Sequence, residues 1–437
     1  MFTEKREVER EIRIRDLASP INTEEALEAL RAAESESVEL SLEAVLNAAI
    51  AATGLDDFGP DDFRDRLALM LKEVDGHPHN TAWGRLEYFN DMVHVVSSRL
   101  QFLDYFKAHP EIREIKVDRP IFIAGLPRTG TTDLVSVMAA DSRLRTLPKW
   151  EARQPVPDRV SDGDPRDGED VRLTRARRAF ESRRGYLPLR ELMHPTNPEF
   201  IEDETVFEGY DFLMNWGITM GSDSREMLNW RRDMPVWHEM TPRYPRYSWT
   251  KAGLQLLMAQ RQGERFFGKA IWHMENLAAL MNQFPDATVV FTHRDPVSVV
   301  QSIATMYAYR SRMYYTRVDP AWYIDFYKNL VHQLAKAYLR DRAALSKDQT
   351  LDLFFRDLRS NQMGSIERIY ETAKFPLTAR ARREIEDQRS VRARGFVPVD
   401  QGRIVYNLQD DFGVDPAELR REFSYYFDSL PVKAEVR

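Results

Sequence analysis

The chain has 437 residues, 43% apolar and 30% charged, a globular composition with material for two or three ordinary domains. Its 62 Lys and Arg against 69 Asp and Glu give a net charge of −7, which disfavours general nucleic-acid binding, since that rests on neutralising phosphates. Cysteine is absent, excluding disulfides, thiolate metal sites and thiol nucleophiles, and no apolar run approaches the roughly 20 residues that span a bilayer.

The opening MFTEKREVEREIRIRD is charged throughout and lacks a signal-peptide core, so a soluble, cytoplasmic protein is expected. Leu42, Val45, Leu46, Ala49 and Ile50 repeat at helical spacing, with Gly54 as the stop. DDFRDRLALMLKEV and NDMVHVVSSRLQFLDYF carry similar patterns. Residues 1–111 are therefore expected to form a helical N-terminal cap. From residue 112 the texture changes. PIFIAG, TVVFTH and TLDLFF read as buried strands. Helices are expected from Thr131, across Glu275–Gln283, from Pro296 and near Ser360–Ala373. Strands alternating with helices predict a parallel α/β sheet over 112–437, with segments 121–125 and 288–292 central and close. SDGDPRDGED reads as a solvated loop.

The first chemical motif is Gly125-Leu-Pro-Arg-Thr-Gly-Thr-Thr132, between a strand and a helix. Backbone amides at such a helix start form an anion site. Gly130 admits close approach of an anion, the hydroxyls of Thr131 and Thr132 can donate to it, and Thr129 is counted among the loop's binding residues. A nucleoside-triphosphatase loop carries Lys where Thr131 stands; here the cation is Arg128, inside the loop. That substitution disfavours a magnesium-dependent triphosphatase.

The second motif is TVVFTH-Arg294-Asp-Pro, with Ser302 eight residues after the arginine. Asp295 suits an N-cap and Pro296 the first helical turn. Arg294 then lies at a strand's C-terminal end, where open α/β sheets bind ligands. An Arg fork plus a Ser hydroxyl suits a phosphate monoester. The alternative is that Arg294 pairs with a nearby carboxylate. Arg294 and Ser302 are expected to face the same pocket as Gly130 and Thr131, the two groups about one bisphosphate nucleotide apart, on the order of 10 Å.

Together, PIFIAGLPRTGTT and FPDATVVFTHRDPVSVVQSIATM resemble the PAPS-dependent sulfotransferases, in particular their bacterial branch. GKAIWHMENLAALMNQFPDA and YNLQDDFGVD add weaker matches, so the resemblance covers roughly 120–430. It implies a P-loop NTPase-like parallel sheet flanked by helices. It also implies that the first loop holds the 5′-phosphosulfate of PAPS and the second motif the 3′-phosphate, leaving 3′,5′-adenosine bisphosphate as product. Arg128 stands where many members carry Lys, Asp133 where many carry Trp, and Ile271 where a Pro is usual. The basic string of the tail is reduced to Gly402-Arg403-Ile-Val-Tyr406, which makes Arg403 a candidate contact to the co-substrate.

Sulfuryl transfer is chiefly positioning and charge stabilisation. Arg128, Gly125 and the loop serve the leaving phosphate. Lys269 is matched to the family lysine and is the candidate for the transferring group. His273 is the leading general base, expected at the pocket mouth with one imidazole nitrogen open. Glu204 is the alternative; His194 and His238 are further candidates, and His77 and His79 read as loop residues. No metal is required, and no HExxH-type spacing is present. The acceptor pocket is placed at 190–260. Met193, Phe207, Tyr210, Phe212, Met214, Trp216, Trp230, Trp237, Tyr244, Tyr247 and Trp249 suggest an aromatic or lipophilic small-molecule acceptor. Met306, Tyr307, Tyr309, Met313, Tyr314 and Tyr315 form a second such group; core packing is the alternative for both. A small-molecule P-loop kinase and a non-catalytic nucleotide-binding scaffold are the other functional readings.

Overall fold

The computed structural model describes residues 11–157, 170–194, 197–212, 247–261, 263–395 and 403–436. Their strands are β1 (Glu11–Ile12), β2 (Ile121–Gly125), β3 (Leu144–Arg145), β4 (Arg265–Lys269), β5 (Thr288–His293), β6 (Thr350–Phe354) and β7 (Arg403–Ile404). Five of these form one parallel sheet in the order β3-β4-β2-β5-β6, and β1 pairs with β7. The two segments expected to be central neighbours pair directly, Ile121 opposite Thr288 and Gly125 opposite Thr292.

Every residue of β2 and β5 is buried, which explains the apolar run of β2 and the Val-Val-Phe centre of β5. Alternate residues feed two cores. Phe122, Ala124, Val289 and Phe291 join the core that includes helices Pro296–Arg310 and Pro320–Asp341. Ile121, Ile123 and Val290 join the core beneath Thr131–Met138 and Gln362–Thr372. Two faces are thus covered by helices, the P-loop NTPase-like α/β arrangement.

Ahead of the sheet lie α1 (Glu24–Ala33), α2 (Leu42–Thr53), α3 (Phe63–Asp75) and α4 (Ala82–Ala108). Gly54 ends α2 with φ of 69°, the left-handed conformation that glycine adopts freely. Helix α4 shares its core with Phe122 of the sheet. Its Arg99 is fully buried and donates to the carbonyls of Phe58 at 2.8 Å and Tyr210 at 2.7 Å, and to the Asp211 carboxylate. No helix among the described residues is long and apolar enough to cross a membrane.

Candidate active site

The helices after β2 and β5 lie on opposite faces of the sheet, which opens a crevice at the C-terminal ends of these two strands. Gly125 makes their contact possible. A Cβ there would stand 2.0 Å from Thr292 Oγ1 and 2.8 Å from its carbonyl oxygen. Thr129 fastens the loop above. Its buried hydroxyl donates to the Leu126 carbonyl at 2.7 Å and meets Thr292 Oγ1 at 2.7 Å. Thr129 is therefore a loop-shaping residue in this structure; its hydroxyl is committed to protein partners. Arg128 at φ 64° and Gly130 at φ 84° turn the chain into helix Thr131–Met138. Thr131 and Thr132, both partly exposed, open that helix.

Both sequence motifs meet at Arg128. Its Nε donates to Ser302 Oγ at 3.0 Å, and its carbonyl accepts from Arg294 Nη1 at 2.8 Å. Arg128 thus bridges the loop to the second motif. The left-handed turn at Arg128 brings its side chain and carbonyl onto the β5 side. Arg294 also lies over the Phe355 ring, 4.0 Å from its centroid, and the same ring lies 3.3 Å from where a Cβ on Gly130 would be. The alternative weighed for Arg294 is realised as well. Its Nε and Nη2 donate to the Glu435 carboxylate at distances from 2.7 to 3.0 Å.

Lys269 ends β4, with its Cα opposite Ile123 of β2. Its ammonium pairs with Asp203. Burial alone would lower its pKa, but the carboxylates of Asp203 and Glu202 outweigh burial and hold Lys269 above the ordinary lysine value, so it stays charged.

His273 departs from expectation. It is fully buried in a 3₁₀ turn, edge-on to Phe122 with centroids 5.1 Å apart. Both ring nitrogens are engaged, Nδ1 with Tyr247 Oη at 2.9 Å and Nε2 with Glu204 Oε1 at 2.5 Å. The expected open nitrogen at the pocket mouth is not found. The 3₁₀ turn folds the residue back under β2 instead of presenting it outward. Glu204, the alternative base, is also fully buried, and its Oε2 has no hydrogen-bond partner among the described residues. That carboxylate lies against Gly268, where a Cβ would approach Oε2 to 2.4 Å.

The remaining candidates scatter. Arg403 is exposed and pairs with Glu11 at 3.4 Å, and no described contact ties it to the loop. His194 packs edge-on to Phe200, His77 and His79 stay in the turn before α4, and His238 lies outside the described residues. Phe207, Tyr210 and Phe212 are buried core residues. Phe207 and Tyr210 pack on Phe102 of α4, and Phe212 stacks on Phe63 of α3 at 6.0 Å. Reading these three as pocket lining is corrected: they pack on α3 and α4, and Phe207 also lies against Gly253 of helix Ser248–Gln260. Met214, Trp216, Trp230, Trp237 and Tyr244 lie outside the described residues. In the second aromatic group, Tyr309, Met313, Tyr314 and Tyr315 are buried, while Met306 and Tyr307 keep partial exposure. Sequence reasoning missed Phe355, Ser298 and Glu435. Phe355 had a signal, since it follows directly on a strand's C-terminal end.

Fold and strand-end loop together define a P-loop NTPase-like α/β protein with Arg128, Arg294 and Ser302 gathered at the ends of two paired strands. The family model of the sulfotransferases matches residues 120–379, and the chain belongs to the sulfotransferase family. Among solved structures it is similar to sulfotransferase STF9 from Mycobacterium avium, with a TM-score of 0.77 and 23% identity, covering 92% of this chain and 100% of that one. It is also similar to sulfotransferase STF1 from Mycobacterium tuberculosis H37Rv, with a TM-score of 0.69 and 22% identity over 88% and 98% of the two chains. At these identities the likeness speaks to the fold. No curated protein matches the chain.

Proposed function

We propose that the chain transfers a sulfuryl group from PAPS to a hydroxyl of a small acceptor with an aromatic or lipophilic body. The observation that carries this reading is the meeting of Arg128, Ser302 and Arg294 at the ends of two paired strands. Two anion-binding elements at one crevice suit a nucleotide with phosphate at both its 5′ and 3′ positions. The 5′-phosphosulfate lies on the loop, with Arg128, Thr131, Thr132 and the amides around Gly130 as donors. The 3′-phosphate goes to Arg294 and Ser302. Arg403, held by Glu11, has no part in this reading.

The acceptor oxygen attacks sulfur in line, and the bond from sulfur to the bridging phosphate oxygen breaks, its electron pair leaving with the bisphosphate. Lys269, kept charged by Asp203, offsets charge on the transferring group. The acceptor proton goes to Glu204, which is buried but lies against Gly268, beside Lys269 and its partner Asp203, so the acceptor hydroxyl must reach it inside the protein. The unpartnered Oε2 supports the carboxylate as base, and His273, with both nitrogens occupied, holds it in place. Partly exposed Met306 and Tyr307 are the described support for an apolar acceptor.

Thermal-shift titration tests the reading. Saturation at 100 times Kd stabilises a fold by about 2.7 kcal/mol. The bisphosphate should raise the melting temperature without metal, and ATP with Mg²⁺ or ADP should not. Selective stabilisation by ATP with Mg²⁺ would favour a kinase instead.

A further inference from the structure

The guanidinium of Arg294 has little freedom. Nη1 is spent on the Arg128 carbonyl at 2.8 Å, and the ring of Phe355 covers one face. The Nε–Nη2 edge is what remains for an anion. That edge is occupied by Glu435, whose carboxylate accepts from Nε at 3.0 and 2.9 Å and from Nη2 at 2.7 Å. Ser298, in the first turn of helix Pro296–Arg310, brings its hydroxyl to 3.5 Å from the same carboxylate. The segment carrying Glu435 is separately fastened. Asp295 Oδ2 accepts from the amides of Glu435 at 2.7 Å and Val436 at 3.3 Å, and Arg420 donates to the Val436 carbonyl. Asp295 therefore caps its own helix through Oδ1 and holds this segment through Oδ2.

We propose that the Glu435 carboxylate is a built-in competitor for the anion site formed by Arg294 and Ser298, and that a nucleotide 3′-phosphate must displace it to bind. Carboxylate and phosphate use the same two-nitrogen edge of a guanidinium, so the two cannot share it. The inference rests on the proposed placement of the 3′-phosphate. It adds Ser298 to that site and makes co-substrate affinity depend on the position of segment 430–436. The side chains of Arg294 and Glu435 retain 19% and 33% of their exposure, so the pair is screened and can open. When a site is free for only a fraction of the time, apparent affinity falls by that fraction.

The test is calorimetric titration of the full chain, wild type, Glu435→Gln and Glu435→Ala, with 3′,5′-adenosine bisphosphate and with 5′-AMP, which lacks the 3′-phosphate. Both variants should bind the bisphosphate about five- to tenfold tighter than wild type, as a site otherwise free for roughly 10–20% of the time requires. Their affinity for 5′-AMP should be unchanged. Equal bisphosphate affinity in all three proteins would overturn the inference and leave the function standing. Tightening of 5′-AMP by the same factor would also overturn it, since the effect would then be one of overall charge. Absence of bisphosphate binding in every protein would overturn both the inference and the functional reading beneath it.

Discussion

Glu204→Gln separates a catalytic carboxylate from a structural one. Glutamine has nearly the same shape, which matters because Glu204 is fully buried and packed on Gly268. It retains an oxygen and a hydrogen-bonding group for His273, but it cannot take up a proton. Loss of a general base costs about 10²–10⁴ in rate. At roughly 1.36 kcal/mol per decade, that is about 2.7–5.4 kcal/mol on the barrier. The stability cost is smaller. A charge-assisted bond of about 1.5–3 kcal/mol becomes a neutral one of about 0.5–1.5 kcal/mol. A change near 1 kcal/mol moves the melting temperature by only about 2–4 °C in a large domain. The assay measures kcat with saturating PAPS and acceptor, bisphosphate Kd and melting temperature on one preparation. A catalytic Glu204 gives a collapsed kcat beside near-normal Kd and melting. Tyr247→Phe, which removes the hydroxyl on His273 Nδ1, should cost only about five- to tenfold in kcat, the worth of a neutral hydrogen bond of roughly 1 kcal/mol. Full kcat in Glu204→Gln with a lowered melting temperature would refute the reasoning and make the pair a core contact.

Arg294→Ala should weaken bisphosphate binding by about 1.5–3 kcal/mol and 5′-AMP binding by distinctly less, the remainder reflecting the lost hold on the Arg128 carbonyl; calorimetry reads both. Gly125→Ala should destabilise by about 1–3 kcal/mol or more, because the clash is with the Thr292 backbone as well as its side chain; denaturant melts check it. Burial pushes Asp352 up, but hydrogen bonds from His293 and Tyr338 and the nearby charge of Arg342 outweigh it and bring it from 3.8 to about 2. A folded pKa below the unfolded one gives stability that is present above the unfolded value and is lost as pH falls toward the folded value. Asp352→Asn should therefore flatten the acid limb of a stability–pH curve below about pH 4, measured by denaturant midpoints.

The parallel sheet was legible because its signals are local. Residues 121–125 are an unbroken apolar run, 289–291 are Val-Val-Phe between threonines, and Asp295-Pro296 marks the helix start that places Arg294 at a strand end. The loop around Gly130 was legible for the same reason. What stayed hidden depends on contacts between distant segments. His273 is buried because a 3₁₀ turn carries it under Phe122 to meet Glu204 and Tyr247, and no spacing within 269–273 encodes those partners. The aromatics Phe207, Tyr210 and Phe212 look like pocket lining until α3 and α4 are seen to cover them. Glu435 reaches Arg294 across 141 residues, held by backbone amides that carry no side-chain signature.

The most direct measurement of the central claim is single-preparation turnover with PAPS and a library of hydroxylated acceptors in the presence of a metal chelator. Mass spectrometry would follow the acceptor and chromatography the nucleotide. The account predicts 3′,5′-adenosine bisphosphate and an acceptor heavier by one SO₃ in equal amounts, both lost in Glu204→Gln. Phosphorylated acceptor formed from ATP with Mg²⁺, with PAPS left intact, would contradict it.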